Sequence, residues 1–184
     1  MTGLQPALGA GFGCGTIVGM DSALRPRRSV LFMPGANARA LEKARSIDCD
    51  GIIIDLEDAV APDLKVEARE RAAGVVKEHP YGYREVAIRV NGMDTQWYHD
   101  DLVAAVAAGP DAIAVPKVGS AEHVHAIVAD MEAAGADESV KLWAMIETPR
   151  AVLDCLDIAE ASDRLTVLIM GTNDLTKELR ASHV

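Results

Sequence analysis

A repeating unit of one short apolar strand, a polar turn and an amphipathic helix constrains the fold of this chain more than any other feature. Six apolar runs predict strands whose first residues lie 22 to 34 positions apart, at 29–33, 51–56, 85–91, 112–116, 142–147 and 165–170. Apolar residues at three- and four-residue spacing predict helices between them, at 39–46, 65–78, 97–107, 122–134 and 150–159. This strict alternation predicts an α/β fold with a parallel sheet, either open or closed into a barrel.

Polar or conformationally special residues follow every one of the six predicted strands. They are Pro34 and Gly35, then Asp55, Glu57 and Asp58, then Arg89 and Asn91, Pro116 and Lys117, Glu147 and Thr148, and Asn173 and Asp174. An open sheet concentrates its site at one switch point, whereas a barrel gathers all its strand ends around one mouth. The pattern therefore predicts a TIM (β/α)8 barrel. Because a complete barrel needs about 250 residues, the 184 residues given are expected to hold its first six βα units.

Composition limits the remaining possibilities. Residues 1–28 carry many glycines and no period, which predicts a flexible leader ahead of a barrel domain at 29–184. The formal net charge is -10, and the only basic cluster lies at 25–28, so a nucleic-acid surface is not expected. No apolar run reaches the roughly 18 residues of a membrane span. Three widely separated cysteines indicate thiols in a reducing compartment, and we therefore expect a cytoplasmic protein.

Two acidic residues stand at the ends of consecutive predicted strands. Glu147 closes the run KLWAMIE, and Asp174 follows the run LTVLIMGTN. An apolar setting penalises unpaired carboxylates, and a divalent cation that prefers oxygen ligands would compensate both. The alternative is that Glu147 faces a lysine and that Asp174 caps the helix that follows it. The pair therefore predicts a metal site, with ordinary strand-end roles as the competing interpretation.

Six sequence runs together carry a resemblance to a known family. They are RRSVLFMPGANARALEKA, DGIIIDLEDAVAPDLKVEAR, VAIRVNGMDT, DAIAVPKV, IETPRAV and GTNDL. In this order and spacing they resemble the citrate lyase beta-subunit and malyl-CoA lyase branch of the HpcH/HpaI aldolase superfamily. The resemblance implies a TIM barrel that uses Mg2+ to make or break a carbon–carbon bond between an acyl-CoA thioester and a small 2-oxo acid. It also implies a homotrimer.

The resemblance assigns the central chemistry to three residues. Glu147 and Asp174 would hold Mg2+, and Glu147 would also lie beside the substrate. Arg89 would be catalytic and substrate-binding, because its guanidinium would face the oxygen on which negative charge develops. The alternative for Arg89 is an ion pair with Asp55 or Glu57 inside the barrel, and the two roles are compatible.

Further residues receive supporting roles from the same resemblance. The acids of the run DLED would contact the metal's water ligands, or else form the turn and cap before the next helix; they are Asp55, Glu57 and Asp58. Phe32 and Lys43 would bind the CoA part of the thioester, with an exposed helix lysine as the alternative for Lys43. Asn37 stands where malyl-CoA lyases of this branch have an arginine.

The resemblance implies a Mg2+-dependent carbon–carbon lyase that cleaves a malyl-, citramalyl- or citryl-CoA-like thioester to acetyl-CoA and a 2-oxo acid. A malyl-CoA thioesterase is a related alternative. A class II pyruvate aldolase of sugar acids shares the Glu and Asp pair, but the runs RRSVLFMPG and DLEDAV belong to the CoA branch. A non-catalytic truncated subunit is the fourth interpretation, because the resembled lyases take a catalytic aspartate from a C-terminal segment that would follow Val184.

Overall fold

The computed structural model describes residues 25–182. The strands are β1 (Val30–Pro34), β2 (Gly51–Asp55), β3 (Glu85–Arg89), β4 (Ala112–Val115), β5 (Lys141–Ile146) and β6 (Leu165–Met170). The helices are α1 (Ala38–Ala44), α2 (Lys65–Lys77), α3 (Tyr98–Ala108), α4 (Ala121–Ala133), α5 (Pro149–Leu153), α6 (Cys155–Glu160) and α7 (Thr172–Glu178), and a 3-10 turn at Pro62–Leu64 precedes α2. No helix in this part of the chain combines the length and apolar character that crossing a membrane requires.

All six strands run parallel in one sheet, in the order β1-β2-β3-β4-β5-β6. Each strand pairs with the one that precedes it in the chain, and a helix connects every consecutive pair. This topology confirms the predicted α/β fold, in which the chain forms the first six βα units of a TIM barrel. The carboxyl ends of all six strands consequently lie at the same edge of the sheet.

Alternating side chains of the central strands build two apolar layers. Ile54, Ile88 and Ile113 belong to the main core, which also contains the buried side chains of the helices. Ile53 on β2 and Trp143 on β5 belong to a second, smaller cluster on the other face of the sheet. Because successive side chains in a strand point to opposite faces, strands buried on both sides read as the continuous apolar runs seen in the sequence.

Two arginines at the end of the predicted leader, Arg27 and Arg28, attach this part of the chain to the barrel. Arg27 donates from Nε and Nη2 to the carboxylate of Glu85 at 2.6 and 2.8 Å, and its Cζ lies 5.7 Å from the centre of the Trp143 ring. Arg28 pairs with Asp50 at 2.7 Å. These contacts lie at the amino ends of the strands, opposite the predicted site. The rest of the predicted leader, residues 1–24, lies outside the described residues, so its flexibility stays a prediction.

Two helices differ from their predicted form. The region predicted as one helix over 150–159 contains α5 and α6, which meet at Asp154. The helix after β6 begins at Thr172, with Gly171 at the cap position, so Asp174 lies inside the first turn of α7 and is not its N-cap. The helical-cap alternative for Asp174 is therefore wrong, and its carboxylate is available for contacts at the strand ends.

The last βα unit, formed by β6 and α7, is more exposed to solvent than the central strands. On β6, the side chains of Leu168 and Met170 are 37% and 51% exposed, whereas β2 is buried along its whole length. No residue of α7 is buried. The edge of the sheet next to Asp174 is thus accessible to solvent.

Candidate active site

A pocket of about 500 Å³ opens at the carboxyl ends of the strands. The residues that line it come from β1, β2, β3, β5, β6, the turns that follow β2 and β5, and the start of α7; they include Phe32, Asp55, Arg89, Met145, Glu147 and Asp174. Residues at the ends of five of the six strands thus line a shared opening, as the sequence pattern predicts for a barrel. A smaller cavity of about 170 Å³ adjoins it and shares Glu147 and Asp174, with Lys117 in its wall.

Arg89 is held in place before any substrate arrives. Asp55 and Arg89 are register partners on β2 and β3, so their side chains leave the sheet side by side. Arg89 donates to the two carboxylate oxygens of Asp55 at 2.7 and 2.6 Å, and its Nη1 lies 2.9 Å from Oε2 of Glu57. Burial lowers the pKa of Arg89, but Asp55 and Glu57 outweigh burial and raise it. The guanidinium is therefore a fixed positive charge in the pocket wall.

Asp55 also organises the turn that follows its own strand. Its carboxylate accepts from the backbone N–H groups of Glu57 and Ala59 at 2.8 and 3.0 Å. The ion pair and the turn role anticipated as alternatives are thus both present in this one residue. Asp58 lines the same pocket, so all three acids of the DLED run lie at or beside the opening.

Glu57 is buried next to two cations. It is 7% exposed, and Lys117 Nζ lies 3.5 Å from its Oε1. Its Oε2 accepts no hydrogen bond of acceptable geometry within the described residues, although Arg89 is close. Burial is the main cause that raises the pKa of Glu57 to about 7, while Arg89 opposes this rise. Near neutral pH this carboxyl group therefore takes up or gives off a proton easily.

Glu147 and Asp174 face the same small cavity from consecutive βα units. Glu147 is 4% exposed, and its Oε2 accepts from the backbone N–H of Lys117 at 2.9 Å. Burial raises the pKa of Glu147; the Lys117 N–H opposes this, and the charge of Asp174 adds to it. Asp174 lies 3.7 Å from Lys117 Nζ. The two carboxylates therefore repel each other electrostatically and share one nearby ammonium group.

Because residue 171 is a glycine without a side chain, the side chain of Glu147 can lie directly against it. A Cβ atom at residue 171 would lie 2.3 Å from Oε1 and 2.4 Å from Cγ of Glu147, which no real side chain tolerates. The backbone N–H of Gly171 donates to the carbonyl of Ile146, the residue before Glu147. The ends of β5 and β6 are therefore in contact, and any side chain at residue 171 would force Glu147 to move.

The donor set suits Mg2+. Two carboxylates supply hard oxygen ligands, which Mg2+ prefers, and Mg2+ commonly keeps water in its other positions. Within residues 25–182 no group of three or more His, Cys, Asp and Glu side chains is arranged to hold a metal ion. Glu147 and Asp174 therefore stay a predicted pair of ligands, which no third side chain of these types joins within the described residues. The cavity of about 170 Å³ that both carboxylates line fits this role.

The two residues predicted to bind CoA lie apart. Phe32 lines the main pocket, is 43% exposed, and its ring centre lies 5.1 Å from Cζ of Arg89. Lys43 lies in the last turn of α1 and lines a separate cavity with Arg39 on the same helix. Asn37 caps α1 by accepting from the N–H of Ala40. The structure brings Phe32 to the site and leaves Lys43 on the outer helical layer, so both CoA contacts stay predictions.

Sequence reasoning missed how two site residues are used. The sequence suggested that Lys117 neutralises the acidic opening or pairs with an acid across the strand ends, and it did not predict that the backbone N–H of this residue, at a left-handed φ of 56°, donates to Glu147. It also gave Gly171 no role. The run GTND did contain a signal for Gly171, because a glycine between an apolar strand and an acidic residue often marks a close approach of two backbone segments.

A family comparison places the chain among known sequences. The sequence model of a family described as HpcH/HpaI aldolase/citrate lyase matches residues 28–184. A (3S)-malyl-CoA thioesterase of Cereibacter sphaeroides is 49% identical over 160 residues, which cover 87% of this chain and 54% of the relative. The citrate lyase subunit beta of Leuconostoc mesenteroides is 34% identical over 161 residues, which cover 85% of this chain and 53% of that relative. The chain thus spans about half the length of these curated relatives.

Solved structures agree on the fold. RipC from Yersinia pestis superposes with a TM-score of 0.68 at 30% identity, covering 88% of this chain and 65% of that one. The citrate lyase beta subunit from M. tuberculosis complexed with oxaloacetate and magnesium gives a TM-score of 0.64 at 28% identity, covering 84% and 62%. That relative binds magnesium and a 2-oxo acid.

Proposed function

The chain belongs to the HpcH/HpaI aldolase/citrate lyase family, and we propose that it is the catalytic barrel portion of a Mg2+-dependent enzyme for CoA thioesters. Its leading activity is carbon–carbon cleavage of a malyl-, citramalyl- or citryl-CoA-like thioester to acetyl-CoA and a 2-oxo acid. The observation that carries this proposal is Arg89, fixed by Asp55 in a pocket that also contains Glu147 and Asp174. A fixed cation next to a pair of carboxylates suits a substrate that carries both a carboxylate and an oxygen on which charge develops.

The chain's own residues divide the work of such a cleavage. The substrate hydroxyl loses its proton and becomes the carbonyl of the 2-oxo acid. The electron pair of the broken carbon–carbon bond moves to the thioester as an enolate, which then takes up a proton to give acetyl-CoA. Arg89 would stabilise the negative oxygen by charge-assisted hydrogen bonding, with no reorganisation at the moment of reaction. Phe32 would form an apolar side of the pocket beside that guanidinium.

Glu147 and Asp174 would hold Mg2+, and the bound ion would orient the 2-oxo or 2-hydroxy acid and polarise its oxygens. The metal role of the related M. tuberculosis protein supports this proposal. Gly171 would keep the Glu147 carboxylate in position, and Lys117 would contribute one N–H donor to it.

A thioesterase is the second candidate, because proteins with that name in Cereibacter sphaeroides are 48% to 50% identical to this chain. In this reaction water adds to the thioester carbon and the thiolate of CoA leaves with a proton. Malyl-CoA would give malate and free CoA, without acetyl-CoA or glyoxylate. The two activities therefore share a substrate and differ in every product.

One product assay separates the candidates. Malyl-CoA is incubated with the protein and Mg2+, and a thiol reagent reports free CoA while phenylhydrazine reports glyoxylate. Glyoxylate with acetyl-CoA supports the lyase, and free CoA with malate supports the thioesterase. Glu147→Ala is the inactive control. With citramalyl-CoA or citryl-CoA as the substrate, the same assay measures pyruvate or oxaloacetate as the 2-oxo acid product.

A binding experiment tests the site without turnover. Glyoxylate, pyruvate and oxaloacetate are titrated calorimetrically into the protein with and without Mg2+. Mg2+-dependent heat that Glu147→Ala abolishes supports the chelate site, and binding without turnover supports a non-catalytic subunit. No binding of any acid to the folded protein in Mg2+ contradicts the proposal. We also propose a cytoplasmic homotrimer, whose mass light scattering would measure.

A further inference from the structure

Lys117 places a positive charge among the carboxylates that would hold the metal. Its Nζ lies 3.5 Å from Glu57 Oε1 and 3.7 Å from Asp174 Oδ2, and its backbone N–H donates to Glu147. One residue thus contacts three acidic groups from three strand ends. The side chain is 49% exposed, so solvent is available to the ammonium group if it leaves.

The backbone of Lys117 is adapted to this position. Its φ of 56° is left-handed, a conformation that is unfavourable for a residue with a Cβ. Strain of this kind persists only where the surroundings compensate it. The N–H donated to Glu147 and the following N–H, which Val118 donates to the carbonyl of Met145, fix the turn against β5. The backbone contact with Glu147 does not depend on where the ammonium group lies.

We propose that the Lys117 ammonium is an internal counter-ion that Mg2+ displaces when the site is loaded. This inference rests on the proposed function, because it takes Glu147 and Asp174 as the metal ligands. An ammonium at 3.7 Å from Asp174 and a divalent cation held by the same carboxylate repel each other at close range. The ammonium therefore swings into solvent on metal binding, while the backbone N–H stays on Glu147. Lys117 consequently lowers the affinity for Mg2+ and stabilises the metal-free protein.

The test measures Mg2+ affinity rather than activity. Mg2+ is titrated calorimetrically into the wild-type protein and into Lys117→Met, which removes the charge and keeps a side chain of similar length. We expect the dissociation constant to fall roughly 3- to 20-fold in the variant, as expected for a partly solvated charge at this range. A purely structural lysine would give the opposite change, because its loss would loosen Glu147 and weaken binding.

Three further variants make the result specific. Lys117→Arg keeps the charge and should retain an affinity close to that of the wild type. Lys77→Met removes an exposed charge on α2 and should leave the affinity unchanged. Lys117→Gly also removes the ammonium and accepts the left-handed backbone without strain, so it replaces the methionine variant if that protein fails to fold. In the absence of Mg2+ the methionine variant should melt at a lower temperature than the wild type, and Mg2+ should close the gap.

The outcomes distinguish failure of this inference from failure of the proposed function on which it rests. Wild-type binding that Glu147→Gln abolishes, together with equal or weaker binding by Lys117→Met, overturns the counter-ion role and leaves the metal site standing. Mg2+ binding by Lys117→Met without detectable binding by the wild type gives the inference its strongest support. No binding by either protein overturns both the counter-ion role and the metal part of the proposed function.

Discussion

Gly171 and Glu147 approach each other so closely that a Cβ atom at residue 171 would lie 2.3 Å from the Oε1 atom of Glu147. The obstacle is the carboxylate itself and the Cγ behind it, at the end of a side chain that is 4% exposed. A Cβ atom at residue 171 would therefore push the Glu147 side chain out of its position and toward the cavities that it lines. The glycine thus determines where the carboxylate lies.

Gly171→Ala is expected to weaken Mg2+ binding about 10- to 100-fold, the usual cost of disturbing the support of a metal ligand. Calorimetric titration with Mg2+ measures the change. Gly74→Ala is the matched control, because a Cβ at residue 74 in α2 meets nothing within 4 Å. That control should bind Mg2+ normally and gain about 0.5–1 kcal/mol of unfolding free energy. Unchanged affinity in Gly171→Ala would contradict the positioning role.

Removing either carboxylate should abolish the metal site. Glu147→Gln and Asp174→Asn keep the size of each side chain and remove its charge, so neither amide can replace the carboxylate as an Mg2+ ligand of comparable strength. We expect calorimetry to detect no Mg2+ binding by either variant. Glu178→Gln is the control, since Glu178 lies on the same helix as Asp174 and lines the same small cavity. Equal losses in all three variants would indicate a general electrostatic effect instead of ligation.

Arg89→Lys should lower kcat about 10²- to 10³-fold, as expected when a fixed charge-stabilising donor is removed. A lysine keeps the charge but cannot reproduce the two parallel hydrogen bonds to Asp55. KM should change much less, because the lost contact strengthens in the transition state. Steady-state kinetics with malyl-CoA measures both constants.

The same ion pair predicts a stability effect. Arg89→Met leaves the buried Asp55 carboxylate without its partner, and we expect a loss of about 3–5 kcal/mol in unfolding free energy. Denaturant unfolding followed by circular dichroism measures this loss. Arg71→Met is the comparison, because Arg71 pairs with the exposed Glu67 on α2 and should cost far less. Similar losses of unfolding free energy in Arg71→Met and Arg89→Met would contradict a larger cost for breaking the buried pair.

Glu57 predicts a pH dependence of stability in the metal-free protein. Its pKa in the folded state is raised from 4.5 to about 7, so between these values the folded protein binds more protons than the unfolded chain. The free energy of unfolding should therefore fall as pH rises from 4.5 to about 7, by at most roughly 3 kcal/mol from this residue. Glu57→Gln should flatten that slope, as measured by denaturant unfolding across the range, whereas Glu70→Gln should not. An unchanged slope in Glu57→Gln would contradict the raised pKa.

The sequence predicted the sheet closely because strands buried on two faces leave short apolar runs with sharp ends. It could not predict the break at Asp154, since α5 and α6 continue nearly the same apolar spacing across the join. The sequence also could not predict the position of Lys43 relative to the pocket. Helical spacing indicates which face of the helix a residue occupies, but not how far that residue lies from the pocket.

The sequence could predict which residues form the candidate site better than it could predict how those residues contact one another. An ion pair of Arg89 with Asp55 or Glu57 was the alternative expected from the sequence, and the structure has both pairs. The turn at Lys117 did not follow, because a left-handed backbone is expected of glycine or asparagine and this position has a lysine. Such a conformation depends on tertiary contacts with β5, which no local pattern contains.

The strand order has a consequence for the way the protein is made. Every strand of the described sheet pairs with its immediate predecessor in the chain, so no pairing waits for a distant segment. A growing chain leaving the ribosome can add each βα unit to the edge formed by the one before. Each pairing has to close the length of one βα unit, although parallel pairs of this kind form more slowly than contacts within a helix. The Arg89–Asp55 pair would then form as soon as β3 docks, and the carboxylates of Glu147 and Asp174 would join a pocket whose positive wall is already in place.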